Sequence, residues 1–163
     1  MEVTETIARF VVGMKYDQLA SEVVIAAKTA LLDCLGVALA GSREASAAIC
    51  AEIARQEAAV AESTVFGQRF QSSAPQAPLV NGTAGHALDF DHSLYLGQPT
   101  SALIPAVIAL GEALGAGGRD LLEAYVAGFE ATAKLARSIP ETGRGGWHSA
   151  GTLGTLGATL ACG

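Results

Sequence analysis

Apolar residues recur at intervals of three or four in one stretch after another, and nowhere in the chain do they strictly alternate. That period marks helices with one buried face, whereas a half-buried strand shows a period of two. Ile7, Phe10, Val11 and Met14 open the pattern. A second helix is predicted over 21–40, with Val24, Lys28, Leu31, Leu35 and Leu39 on its stripe and Gly41 placed to end it in a left-handed cap. A third follows over 44–59, around Ile49 and Ile53. Val65-Phe66-Gly67 is too short for more than an extended link, and 71–78 reads as a polar, proline-bearing loop. Pro78 suits the first turn of a fourth helix over 79–90. A fifth runs from Thr100 or Ser101 to Leu114, and a sixth starts at Asp120 with Leu122, Tyr125 and Phe129 facing inward. The expected fold is all-α, one unit over 1–163, with more than half the residues helical and no sheet beyond a two-residue bridge.

Glycine placement sharpens this picture. The fourth helix carries Asn81-Gly82-Thr83-Ala84-Gly85, and glycine costs about 1 kcal/mol against alanine inside a helix. Close backbone packing is the expected compensation. Gly151, Gly154 and Gly157 stand at every third position of a last helix and predict a groove that a neighbouring helix can enter closely.

Half of the 163 residues are hydrophobic and only 16% are charged. Ordinary domains carry about 25% charged residues, and a small domain has much surface to keep wet. The shortfall predicts that part of the surface is covered by a second copy, another domain, or chain beyond Gly163, where the apolar pattern stops without a cap. No unbroken apolar run approaches the roughly 20 residues of a membrane span; the longest, 102–110, contains Pro105. The acidic start Met1-Glu2-Val3-Thr4-Glu5 is unlike a secretory signal. Cys34, Cys50 and Cys162 lack metal spacing and read as reduced thiols of a cytoplasmic protein. A net charge of −6 argues against nucleic acid. No phosphate- or dinucleotide-binding motif is present, and no cofactor is expected.

Ionisable groups gather in two segments of this apolar chain, and these hold all three histidines. The first runs His86-Ala87-Leu88-Asp89-Phe90-Asp91-His92-Ser93 and on to Gln98-Pro99-Thr100-Ser101; the second is Gly145-Gly146-Trp147-His148-Ser149. Asp and Ser favour turns on their own account, yet carboxylates at a helix C-terminus meet the wrong end of its dipole. For His86 the plain alternative is a packed, hydrogen-bonded side chain. The spacing of His86, Asp89, Asp91 and His92 fits no metal motif.

These segments resemble a known family. Leu32-Asp33-Cys34-Leu35-Gly36-Val37-Ala38-Leu39-Ala40-Gly41, Asn81-Gly82-Thr83-Ala84-Gly85-His86-Ala87-Leu88-Asp89-Phe90-Asp91, Pro99-Thr100-Ser101-Ala102-Leu103-Ile104-Pro105-Ala106 and Gly146-Trp147-His148-Ser149 are similar, in order, to blocks of the MmgE/PrpD family. Its members include 2-methylcitrate dehydratase, cis-aconitate decarboxylase and iminodisuccinate epimerase. The resemblance implies the first third of a homodimeric, cofactor-independent lyase of small di- or tricarboxylates, all within its helical domain and without its lid. It implies catalytic roles for Asp89, Ser93 and His148, and substrate contacts for His86 and Gln98. Gln98 stands where the family has a histidine, and the family's lysines and tyrosine fall beyond Gly163. The chain alone is therefore expected to be inactive, and a longer protein carrying it to be a poor 2-methylcitrate dehydratase or one shifted to another carboxylate. A non-catalytic helical dimerisation module is the alternative.

Overall fold

The computed structural model describes residues 2–93, 97–138 and 148–163. Seven α-helices lie among them: α1 (Val3–Gly13), α2 (Ser21–Gly41), α3 (Ala45–Glu57), α4 (Gln76–His86), α5 (Thr100–Leu114), α6 (Gly118–Ser138) and α7 (Ser149–Cys162). A 3₁₀ turn at Tyr16–Gln18 joins α1 to α2. Two-residue strands, β1 (Ser63–Thr64) and β2 (Gln71–Ser72), pair antiparallel with Ser63 opposite Ser72. The helical period thus delivers an all-α fold, and the little ladder is the only sheet among the described residues.

α5 is the axis of the packing, touching α4, α6 and α7, with Leu103, Ile104 and Val107 fully buried. Pro105 sits in its second turn, and Gly115 closes it in the left-handed region at φ +66°. One core cluster joins Leu103 and Ile104 to Ala27, Ala30 and Cys34 of α2 and to Leu122, Tyr125 and Val126 of α6. Asn81 pins the extended link onto α4: its Oδ1 accepts the Phe66 N–H at 2.8 Å and its Nδ2 donates to the Thr64 carbonyl at 2.9 Å. Buried amides of this kind must be satisfied on both sides, and here both are.

Three local expectations are corrected. On α2 the expected stripe holds in part: Val24, Leu31 and Leu35 pack half-buried against the core, but the most buried positions are Ala27, Ala30, Cys34, Ala38 and Gly41, and Leu39 points outward, 53% exposed. α3 likewise buries Ala47, Ala51 and Ala54 and leaves Ile49 62% exposed. Helices that approach this closely select small residues at the contact, so side-chain size does not mark the core face. Gly41 is the last residue of α2 and not its left-handed cap; a Cβ there would collide with the Ala84 carbonyl of α4. α4 starts three residues before the expected position and stops at His86, so Asp89, Phe90 and Asp91 lie in the turn beyond it. Asp89 itself takes φ +54°, a conformation Asp adopts more readily than most residues.

α2 is also long and apolar enough to cross a membrane by length and composition, although Lys28 and Asp33 interrupt its apolar run. Its small-residue face packs on α4, α5 and α6.

Two of the three α7 glycines, Gly154 and Gly157, do what their spacing predicts, while Gly151 is exposed and meets only His148. A Cβ on Gly157 would strike the Thr132 hydroxyl of α6 and sit 3.1 Å from Leu103 of α5, and one on Gly154 would sit 3.0 Å from Ala102. On the facing helix, Gly128 leaves room for Gly157 and Ala161. This close seat fixes where the N-terminal end of α7 lies.

Candidate active site

The last two turns of α4 and the first turns of α3, α5 and α7 meet around a cleft of about 460 Å³. His86, Gln98 and His148 line it, with the hydroxyl residues Thr83 and Ser101 between them. The two imidazole rings lie 6.5 Å apart, centroid to centroid. Gly97 makes the junction possible: at φ +136° it approaches Ala150 so closely that a Cβ would lie 3.2 Å from that residue's own Cβ. That contact carries Gln98 to the side of His148, across a long separation in sequence.

His86 is anchored from below. Its Nδ1 lies 3.0 and 3.1 Å from the two carboxylate oxygens of Asp91, whose side chain is 1% exposed against 43% for the histidine. His148 is anchored differently, as the N-cap of α7: its Nδ1 accepts the Gly151 N–H at 3.2 Å. Gln98 donates from Nε2 to Asp89 Oδ1 at 2.8 Å, while its carbonyl accepts the Ser101 hydroxyl at 3.1 Å. No carboxylate is among the described residues that line this cleft. The N-terminal turns of α5 and α7 both open onto it, and helix N-termini favour anions. Imidazoles and two positive dipole ends make a place for a small anion.

Of the residues expected at the site, the structure brings His86, Gln98 and His148 together directly and Asp89 through its bond to Gln98. It does not bring Ser93 into that group. Ser93 lines a second cleft of about 590 Å³, against α2, with Asp33, Phe90, Asp91 and His92. Gly145, Gly146 and Trp147 of the second ionisable segment lie outside the described residues. Asp91, which the sequence groups with Asp89 as a helix-end carboxylate and gives no role of its own, is the acid that pairs with His86.

His86, Asp89 and Asp91 bring ligand atoms within 4.8 Å of one another and are the one histidine–carboxylate group of that size among the described residues. All three are already hydrogen-bonded, His86 to Asp91 and Asp89 to Gln98.

With this geometry in place, the comparison with known proteins is decisive on lineage. The model of the MmgE/PrpD N-terminal domain matches residues 5–163. The chain belongs to the MmgE/PrpD family. Among curated members it is 31% identical over 171 residues to cis-aconitate decarboxylase of Mus musculus, covering 98% of this chain and 34% of that protein. The Homo sapiens cis-aconitate decarboxylase is also 31% identical, with 98% and 35% covered. The chain thus spans about a third of the length of these MmgE/PrpD relatives.

Proposed function

We propose that this chain forms the helical N-terminal part of a cofactor-independent lyase that dehydrates a small di- or tricarboxylate of the 2-methylcitrate type. The observation that supports it is the pairing of His86 and His148 at the first turns of α5 and α7, in a cleft with no acid among its described lining residues. Dehydration beside a carboxylate needs a base for the C–H proton, a proton for the departing hydroxyl, and donors for the enolate-like charge that develops. Imidazole serves either of the first two near neutral pH. The relatives' name favours a second reading, decarboxylation of cis-aconitate. Both reactions act on small polycarboxylates, so one cleft suits either.

A second copy is the partner we propose for the outward face of α2, where Ile25, Leu32 and Leu39 stand exposed two turns apart. Contiguous apolar surface of that kind marks an interaction face.

The experiment is turnover of 2-methylcitrate and of cis-aconitate by the full-length gene product, with and without Gln98→His. Gln98 cannot transfer a proton. Water release from 2-methylcitrate, raised by the histidine, is the result expected of a dehydratase weakened at this position. Carbon dioxide release from cis-aconitate alone would favour the second reading. Turnover of neither would end both.

A further inference from the structure

We propose that His86 is the general base of this cleft, with Asp91 as the residue that positions it. The assignment rests on the carboxylate-lyase reading above and adds to it the identity of the proton-transferring group.

The two histidines are held in opposite tautomers by their Nδ1 partners. A carboxylate offers only acceptors, so His86 Nδ1 carries its hydrogen and donates it to Asp91 at 3.0 and 3.1 Å. The neutral ring then presents a bare Nε2. A backbone N–H offers only a donor, so His148 Nδ1 is the bare nitrogen at 3.2 Å from Gly151 N. The neutral ring of His148 then presents Nε2–H. One imidazole offers the cleft a lone pair and the other a hydrogen-bond donor, with 6.5 Å between ring centroids. A second-partner carboxylate fixes the tautomer and orientation of a catalytic imidazole and stabilises the imidazolium that forms. Asp91 is placed for that work, buried on the side of the ring away from the cleft. Gln98 has its amide engaged by Asp89, so the acid–base duty missing at that position falls to His86.

In the dehydration, His86 Nε2 takes the proton from the carbon beside a substrate carboxylate. The C–H electron pair becomes the new double bond, and the C–O bond to the hydroxyl breaks. The imidazolium of His86 returns the proton to the departing hydroxide, which leaves as water, and His86 ends as it began. His148 Nε2–H donates a hydrogen bond to the carboxylate oxygen on which charge develops and loses no proton.

The test has two arms. In the first, nitrogen chemical shifts of histidine-labelled chain are read at mildly alkaline pH, the three histidines being assigned with single His→Gln variants. The expected result is a proton on Nδ1 of His86 and on Nε2 of His148, with Asp91→Asn moving the His86 proton to Nε2. A proton on Nε2 of His86 in the unmodified chain would overturn the proposal, whatever Asp91→Asn does. In the second, His86→Gln in the full-length gene product is expected to lower kcat by about 10²–10⁴-fold with KM little changed. Turnover within tenfold of the unmodified protein would also overturn it, while leaving the lyase reading intact. No turnover by the unmodified protein would instead sink the lyase reading and the base role with it, and the tautomer pair would stand alone.

Discussion

Among the described residues, Asp91 bonds to His86 of one cleft and lines another, and the two differ in kind. The one between α4, α5 and α7 presents two imidazoles, a carboxamide and hydroxyls, with no acid among its described lining residues. Its neighbour against α2 presents Asp33 and Asp91 together with His92 and Ser93. A polycarboxylate entering the second would meet two acids at close range, where like charges oppose binding. Entering the first, it would meet hydrogen-bond donors and the positive ends of two helices. One aspartate thus serves both places, holding His86 toward the first cleft while making the second hostile to an anionic substrate. Nearness in sequence to Asp89 does not place a residue in the first cleft, and Ser93 illustrates the point.

The largest expected effect separates the clefts by function. In the full-length gene product His148→Ala should lower turnover about 10²–10⁴-fold, the range for losing a positioned acid–base or oxyanion group. Ser93→Ala should lower it tenfold at most, and steady-state kinetics of the two side by side would reverse the division of labour if Ser93 mattered more.

Next in size is the seat of α7, which only the first cleft depends on. Gly157→Leu would drive a side chain into Thr132 and Leu103, and overpacking of that kind is expected to cost about 3 kcal/mol. Urea denaturation of the chain measures it, and an unchanged midpoint would mean that α7 is not seated as described.

Smaller, per unit of pH, is an alkaline effect seated in the core between α2, α5 and α6. Burial, with Asp91 and Asp33 nearby, pushes the Cys34 thiol from 9.0 up to about 12. Burial pushes the Tyr125 hydroxyl from 10.0 to about 12 against a partial opposing bond from Thr100. Both protons are therefore held more tightly in the folded than in the unfolded chain. Below the ordinary values both states keep them, and stability does not depend on these groups. From pH 9.0 upward the unfolded chain releases the Cys34 proton first, and stability should fall by about 1.4 kcal/mol per pH unit, more steeply once Tyr125 joins. Cys34→Ala should flatten the first part of that fall in denaturation curves taken across the alkaline range; an identical slope would count against the burial of the thiol.

What the sequence made legible follows from what periodicity reports. The α2, α3, α5 and α6 helices and the tight seat of α7 could be read because apolar spacing and glycine spacing are local. The face of α3, and the most buried positions of α2, could not, because alanines sit where backbones meet and leave Leu39, Ile49 and Ile53 outside. The family was legible in four blocks, and the first half of the best of them proves to be architectural, with Asn81 tying down the link at Thr64 and Phe66. The pairing of His86 with His148 needed the fold, since it is made by Gly97 approaching Ala150. The role of Asp91 needed it too, because only coordinates show which of the acids in Asp89-Phe90-Asp91 turns back under the helix.

The three histidines are divided two to one between the clefts, which makes them reporters of where a carboxylate goes. The direct measurement is a titration of histidine-labelled chain with citrate, a stable tricarboxylate, followed by the imidazole resonances. Binding at the first cleft should shift His86 and His148 in a saturable way and leave His92, stacked 6.1 Å from Phe129, nearly unmoved. Saturable shifts at His92 with His86 and His148 unmoved would place the anion in the acidic cleft and contradict the account.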